Sequence, residues 1–266
     1  MPALSPKRAP REGKKSSVRP FASRAPRTSA AGGDRPIPVS MLAETGVSAI
    51  VPPMPPRFDL SLYLVTDPEM TARRGVVETV AAAVAGGVTI VQLRDKTGSA
   101  RALAAAGRAL LAQLRPLGIP LLVNDRLDVA LAIGADGAHV GQDDLAPAAA
   151  RAILGPRAII GLSITSRSDL PTLDAAVDYV GLGPLFPTGT KADAAPALGE
   201  TEFAALRHRI PVPVVAIGGI TVANTARTIA AGADGIAVVS AICAAEDPRA
   251  AAATLRAAVA AARRRA

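Results

Sequence analysis

The sequence predicts an α/β fold, a (β/α)8 TIM barrel with a disordered N-terminal extension. Three observations predict it: eight short apolar runs follow one another after residue 58, Ala-rich segments with helical spacing separate them, and basic charge collects before them. Apolar strands joined by helices are typical of a parallel sheet that is buried on both faces. An open doubly wound sheet is the alternative. Eight units within residues 58–266 fit a closed barrel better.

The eight predicted strands are the apolar runs, and the helices lie between them. Segments such as VVETVAAAVAGG and ARALAAAGRALLAQLRPLG repeat apolar residues at a spacing near 3.6 and close with Gly, as helix ends do. A Gly-bearing turn precedes several strands, as in AGGVTIVQL and AAGADGIAV. In chain order the predicted strands are 60–66 (LSLYLVT), 88–93 (VTIVQL), 120–124 (PLLVN), 137–140 (GAHV), 158–163 (AIIGLS), 178–183 (DYVGLG), 212–218 (VPVVAIG) and 235–240 (GIAVVS).

Residues 1–57 form the predicted extension. They carry ten Lys or Arg and three Asp or Glu, whereas residues 58–266 carry twenty basic and nineteen acidic side chains, so the formal net charge of +8 belongs mainly to the extension. Its Pro, Ser, Gly and Arg content leaves too few apolar residues to offset the entropy of ordering the chain. We expect it to be dispensable. Contact with nucleic acid or an anionic surface, and organelle targeting, are the alternatives.

The remaining composition excludes several classes of protein. The single cysteine, Cys243, lies in the apolar context VVSAICAA and predicts a buried structural thiol, not a disulfide framework or a thiolate metal cluster. His139 and His208 are expected to be packing or surface residues and not general bases. No segment offers the roughly 18 uninterrupted apolar residues of a membrane span. We expect a cytoplasmic protein that binds small molecules and neither nucleic acid nor membrane; homo-oligomerisation is left open.

Polar residues follow the predicted strands from the second to the eighth. In a barrel of this type, chemistry is carried out at the C-terminal ends of the strands, so these residues should meet at one mouth. In strand order they are Gln92, Arg94 and Lys96; Asn124 and Asp125; Asp143 and Asp144; Ser163 and Thr165; Thr188, Thr190 and Lys191; Gly218 and Gly219; and Val239 and Ser240.

These residues divide into two groups on chemical grounds. Three cations and two acids, Asp125 and one acid of GQDD, predict a site for Mg²⁺ and a diphosphate, because Mg²⁺ takes one or two carboxylates together with substrate oxygens. The Gly-Gly turn and the backbone N–H groups after Val239 and Ser240 predict a phosphate site. Each feature alone has a simpler interpretation: Asp125 could cap a helix, the cations could be solvated and Gly-Gly could be only a tight turn. Their common position at the C-terminal ends of the predicted strands favours a functional site.

The motifs YLVTD, VQLRDK, LLVNDRLDVALAIGADGAHVGQDDL, GLSIT, DYVGLGPLFPTGTK, VPVVAIGGI and GADGIAVVSAI resemble the thiamine phosphate synthase family. The resemblance covers nearly all of residues 60–245. It implies a barrel transferase of thiamine biosynthesis that joins 4-amino-2-methyl-5-hydroxymethylpyrimidine diphosphate to 4-methyl-5-(2-phosphooxyethyl)thiazole, or to its carboxylated form. The products are thiamine phosphate and diphosphate, and the implied cofactor is Mg²⁺.

The resemblance also implies the site residues. It assigns the Mg²⁺ ligands to Asp125 and Asp144, and catalytic roles to Arg94, Lys96, Ser163 and Lys191. The loop GPLFPTGTKAD would close over both substrates. The implied pyrimidine diphosphate site consists of Gln92, Leu93, Arg94, Asp95, Lys96, Asn124, Ser163 and Lys191, and the implied thiazole phosphate site of Thr188, Gly189, Thr190, Gly219, Val239 and Ser240.

Two other functions are weighed against coupling. A related thiazole tautomerase has a histidine two residues after the serine of strand five, whereas this sequence has Thr165 there, two residues after Ser163, which favours coupling. A non-catalytic phosphate-binding barrel is the third possibility, and retention of the cationic and acidic groups argues against it. For coupling, the amino group of the pyrimidine would stabilise a positive methylene, so that diphosphate leaves before the thiazole nitrogen attacks.

Overall fold

The computed structural model describes residues 58–190 and 195–265. The predicted extension, residues 1–57, and the candidate residue Lys191 lie outside the described residues, so their expectations stay predictions.

Eight parallel strands close into a barrel in the order of the sequence, which confirms the predicted fold. Closure is made by the first and last strands, where Leu62 pairs with Ile236. Most strands are shorter than the apolar runs, because the residues at the ends of each run pass into loops. The strands are β1 Leu62–Val65, β2 Ile90–Leu93, β3 Leu121–Asn124, β4 Gly137–Val140, β5 Ile159–Ile164, β6 Tyr179–Leu182, β7 Val214–Ile217 and β8 Gly235–Val238.

The helices follow the predicted Ala-rich segments. Asp67, Ser99 and Asp247 begin three of them, and their side chains accept hydrogen bonds from backbone N–H groups of the first turn. Short 3₁₀ turns occupy Arg115–Leu117 and Arg167–Thr172. The α-helices are α1 Pro68–Thr71, α2 Val76–Ala85, α3 Ala100–Leu114, α4 Leu127–Ile133, α5 Pro147–Leu154, α6 Gly199–Arg207, α7 Val222–Ala230, α8 Ser240–Cys243 and α9 Pro248–Arg263.

Two apolar cores stabilise the barrel, one on each face of the sheet. In β1, Leu62 and Leu64 belong to the outer core beneath the helices, whereas Tyr63 and Val65 belong to the inner core. This alternation is the two-residue period of a strand. It decides which side chains can reach the interior of the barrel.

The structure also bears on the predictions about Cys243 and about membrane-spanning segments. Cys243 is buried, and burial raises the pKa of its thiol to about 11, so it is the structural thiol that was predicted. None of the helices within 58–190 and 195–265 combines the length and the apolar composition that crossing a membrane requires.

Candidate active site

A cavity of about 510 Å³ opens where the strands end. It brings together residues from all eight strands or the loops after them, as expected of this barrel. The lining includes many of the residues predicted for the site: Gln92, Arg94, Asn124, Asp143, Ser163, Thr165, Thr188, Thr190, Gly218, Gly219, Val239 and Ser240.

Asp125 and Asp144 form a carboxylate pair at the ends of β3 and β4. The backbone of Asp125 is left-handed, with φ 59°, and its N–H donates to the carbonyl of His139 at 2.9 Å. Asp125 is not a helix cap, because α4 begins after Arg126 and has no side-chain cap. Asp144 is held by the N–H of Gly141, which donates to its Oδ2 at 2.7 Å.

The two carboxylates act on each other. Burial, together with the hydrogen bond and the negative charge of Asp144, raises the pKa of Asp125, and Lys96 offsets this only in part. The Nζ of Lys96 lies 3.5 Å from Oδ2 of Asp125. A divalent cation would relieve the repulsion between the acids, so the pair fits Mg²⁺.

The carboxylate pair is the whole set of protein donors named for the metal. Among the residues that the structure describes, no group of three or more His, Cys, Asp and Glu is arranged to hold a metal. Mg²⁺ does not need such a cage, because it keeps several waters and takes the oxygens of a substrate phosphate. The neighbouring Asp143 lines the cavity, whereas Asp144 makes the contact with Asp125.

The loop after β2 carries the cationic side of the site. The backbone N–H of Arg94 donates to the hydroxyl of Thr66 at 3.0 Å, and its Nη1 lies 3.7 Å from Oδ2 of Asp67. The Nε of Arg94 is buried and has no hydrogen-bond partner within the described ranges. Arg94 itself lines the cavity, so its guanidinium suits an anionic oxygen of a substrate.

Leu93, at the end of β2, and Asp95, in the loop after it, do not line the cavity, and their contact with substrate stays a prediction. Leu93 is buried in the outer core, because it alternates with the inward-facing Gln92. Asp95 shapes the turn: its Oδ1 accepts from the N–H groups of Thr97 at 3.0 Å and Gly98 at 2.7 Å.

The loop after β6 packs against the end of β7 on the other side of the cavity. The N–H of Leu185 donates to the carbonyl of Ile217 at 2.8 Å, and that of Phe186 donates to Gly218 at 3.1 Å. Gly218 and Gly219 have φ of 94° and 65°, and a Cβ at Gly219 would lie 2.6 Å from the carbonyl oxygen of Pro187. The two glycines are therefore required by both backbone conformation and close approach.

The threonines of this loop are connected to each other. The N–H of Thr190 and its hydroxyl lie 3.3 and 3.2 Å from the hydroxyl of Thr188. Both line the cavity, as do Val239 and Ser240 at the start of α8. Gly189 stands between the threonines, and a Cβ there would meet nothing within 4 Å.

His139 has a polar environment that the sequence did not predict. It is buried and packed against Tyr179, as one of the two predicted alternatives has it, but it also lines the cavity, and its ring nitrogens contact the hydroxyls of Tyr179 and Ser163 at 2.8 Å each. The reason is that residue 139 occupies an inward position of β4.

Sequence reasoning also missed Tyr63 and Tyr179. Their hydroxyls lie 2.7 Å apart inside the barrel, beside Gln92. A signal was available, since these are the two tyrosines of the chain and each lies within a predicted buried strand, where its hydroxyl needs a polar partner.

Comparisons with known proteins agree with this geometry. A family model described as thiamine monophosphate synthase matches residues 62–242. The chain belongs to this family. The resemblance noted in the sequence and the prediction of an enzyme of thiamine biosynthesis are thereby confirmed.

Curated relatives of the family match this chain over nearly their whole length. The thiamine-phosphate synthase of Azorhizobium caulinodans is 60% identical over 204 residues, which are 76% of this chain and 96% of the relative. That of Xanthobacter autotrophicus is 57% identical over 211 residues, 79% of this chain and all of the relative.

Solved structures match the barrel as well. The thiamine phosphate pyrophosphorylase of Pyrococcus furiosus has a TM-score of 0.71 at 37% identity, over 77% of this chain and 98% of that one. A 3-hexulose-6-phosphate synthase has a TM-score of 0.56 at 21% identity, over 74% of this chain and 99% of that one, and shows the fold alone.

Proposed function

We propose that this enzyme couples a 4-aminopyrimidine methyl diphosphate to a thiazole phosphate, giving thiamine phosphate and diphosphate. The names of its relatives support the product, and the arrangement at the mouth of the barrel supports the chemistry. The observation that carries the proposal is the carboxylate pair of Asp125 and Asp144 with Lys96, at the mouth of a barrel whose cavity is lined by Arg94. Carboxylates alone would repel a diphosphate, whereas the pair with a metal and cations would bind one.

Asp125 and Asp144 would hold Mg²⁺. The bound ion would supply charge stabilisation to the departing diphosphate.

The cations of the β2 loop would stabilise the same leaving group. The guanidinium of Arg94, which lines the cavity, would donate to a diphosphate oxygen, and Lys96 would add charge from its position beside Asp125. We assign Lys191 the same task. Because leaving-group departure creates the charge in the transition state, these contacts would accelerate bond breaking and not merely binding.

The opposite wall would position the nucleophile. Thr188, Thr190 and Gly219 would hold the phosphate of the thiazole, together with Val239 and Ser240. Holding the ring nitrogen close to the methylene carbon makes attack effectively unimolecular. No strong base is required, since the thiazole nitrogen attacks with its own lone pair.

The test is incubation of the full chain with both substrates and Mg²⁺, with mass detection of thiamine phosphate and a separate assay of diphosphate. Equal amounts of both products are expected only when both substrates and Mg²⁺ are present. An isomerised thiazole without diphosphate would instead identify a tautomerase, and binding without turnover would identify a phosphate-binding barrel. We further propose that the partners are these small molecules alone and that the enzyme acts in the cytoplasm.

A further inference from the structure

A chain of hydrogen bonds crosses the interior of the barrel beneath the cavity. It runs from Gln92 through Tyr63, Tyr179 and His139 to Ser163, and joins five different strands. Its four heavy-atom distances are 2.9, 2.7, 2.8 and 2.8 Å in that order. The first four side chains are buried, and Ser163 is half-buried and lines the cavity.

The side-chain amide of Gln92, at one end of this chain of hydrogen bonds, determines which atom donates in each of the bonds. Nε2 of Gln92 can only donate, so the oxygen of Tyr63 accepts from it. Among the described residues, the one other polar contact of the Tyr63 hydroxyl is that of Tyr179. Tyr63 must therefore donate to Tyr179, because a buried hydroxyl proton without an acceptor is strongly unfavourable.

The same reasoning sets the tautomer of the histidine. Tyr179 accepts from Tyr63, so its own proton goes to Nδ1 of His139. The imidazole is then neutral with its proton on Nε2, and it donates to Oγ of Ser163. The hydroxyl proton of Ser163 remains free to point into the cavity. Burial raises the pKa of both tyrosines, so each phenol keeps the one proton that this account needs.

We propose that this chain is a directional relay that presents the Ser163 hydroxyl to the pyrimidine as a hydrogen-bond donor. Tyr63, Tyr179 and His139 are its positioning residues. The inference rests on the proposed function for the identity of the ligand, and on the contacts alone for its direction. A ring nitrogen of the pyrimidine has the lone pair that such a donor would recognise.

The strands leave space for this relay. A Cβ at Gly161 on β5 would overlap the phenol of Tyr179 and Nδ1 of His139, and one at Gly181 on β6 would lie 3.1 Å from Cε1 of His139. The absence of side chains at these two positions permits the bond between Tyr179 and His139.

The first experiment determines the tautomer without using activity. The protein has two histidines, His139 and the exposed His208, so His208→Gln leaves His139 as its single imidazole. In this variant, ¹⁵N NMR at neutral pH should show Nε2 protonated and Nδ1 unprotonated. Protonation at Nδ1, or at both nitrogens, would reverse or break the relay and overturn the proposal.

The second experiment uses the direction of the relay. Ser163→Ala removes the last link and should leave the Nε2–H tautomer unchanged, whereas Tyr179→Phe removes the donor to Nδ1 and should produce a mixture of tautomers. Tyr63→Phe keeps the hydroxyl of Tyr179 and should have a smaller effect. A tautomer mixture in Ser163→Ala with none in Tyr179→Phe would contradict the proposed direction.

The third experiment connects the relay to the reaction. Tyr179→Phe and Ser163→Ala should each lower kcat/KM for the pyrimidine about three- to tenfold. The double variant should lose no more than Ser163→Ala alone, because Tyr179 acts through Ser163. Multiplicative losses would overturn this positioning role. A protein that shows the expected tautomer but forms no thiamine phosphate would contradict the proposed function and not the relay.

Discussion

Asp125 combines two unfavourable features, a left-handed backbone and a carboxylate next to another carboxylate. Left-handed φ costs most residues about 1–2 kcal/mol, and Asn and Asp tolerate it best after Gly. Strain of this kind is typical of functional positions, where the surrounding structure holds the residue in place. At Asp125 the hydrogen bond to the carbonyl of His139 helps to do so.

The strain predicts a difference between two substitutions. In the absence of Mg²⁺, Asp125→Ala should unfold with a free energy about 1 kcal/mol below that of Asp125→Asn, because Asn keeps the tolerance for positive φ. Urea unfolding with a chelator present measures this difference. Equal stability of the two variants would show that the backbone at residue 125 relaxes.

The carboxylate pair predicts which acid responds to Mg²⁺. Asp125→Asn and Asp144→Asn should each raise the Mg²⁺ concentration needed for half-maximal activity by about tenfold or more, since either change removes a charged ligand. Asp143→Asn is the matched control and should change it far less, because Asp144 makes the contact with Asp125. A greater sensitivity at Asp143 would move the metal site by one residue along GQDD.

At the scale of elements, the turn after β2 depends on Asp95. Burial acts to raise the pKa of Asp95, but hydrogen bonds from Gly98 and Thr97 outweigh it and lower that pKa. Because its pKa is lower in the folded protein, the ionised carboxylate stabilises the fold at pH values above its unfolded pKa of roughly 4. This stabilisation is lost as the pH falls through the pKa of the folded protein.

The prediction concerns Asp95→Asn. The loss of unfolding free energy should be at most about 1 kcal/mol near pH 7, because the group is half-exposed. It should shrink towards zero once the pH falls below the lowered pKa of the folded protein, where the native carboxyl is also protonated. Paired urea unfolding curves at several pH values check this, and a loss independent of pH would mean that the charge of Asp95 does not matter.

The close packing around Gly161 on β5 predicts the effect of adding a methyl group at this position. Gly161→Ala should destabilise the protein by about 1–3 kcal/mol, because the new methyl overlaps two buried side chains. Gly189→Ala is the control for stability, since a Cβ there meets nothing within 4 Å. Thermal unfolding of both variants measures the difference, and equal midpoints would mean that Tyr179 and His139 can move aside.

At the scale of the whole molecule, the described site draws all its residues from the barrel. Within 58–190 and 195–265, the residues that line the cavity lie between positions 63 and 241. The family model likewise matches residues 62–242. The basic charge of residues 1–57 therefore stands apart from the catalytic groups along the chain.

This separation predicts that the first 57 residues can be removed. A chain that begins at Phe58 should keep kcat/KM within tenfold of the full chain, a difference of less than about 1.4 kcal/mol. Steady-state assays of the two proteins at equal concentration measure it, with circular dichroism as the control for folding. A larger loss would place a functional contact in the extension.

The barrel and much of its mouth could be predicted from the sequence. Eight apolar runs, separated by helical segments, are local patterns that each report burial and period. Parallel strands also place their C-terminal ends together, so Asp125 and Asp144 could be expected to converge although 19 positions separate them. Resemblance to the family then gave their expected chemistry.

The tertiary structure decided what lies inside the barrel. The sequence shows that Tyr63, His139 and Tyr179 each lie within a predicted buried strand, but register across five strands determines that their polar atoms meet in one chain of hydrogen bonds. The structure likewise shows that Leu93 packs in the outer core, whereas Gln92 lines the cavity. The physical reason is that a hydrogen bond requires its two heavy atoms to be placed to within a few tenths of an ångström. For residues far apart in sequence, only closure of the barrel fixes those positions.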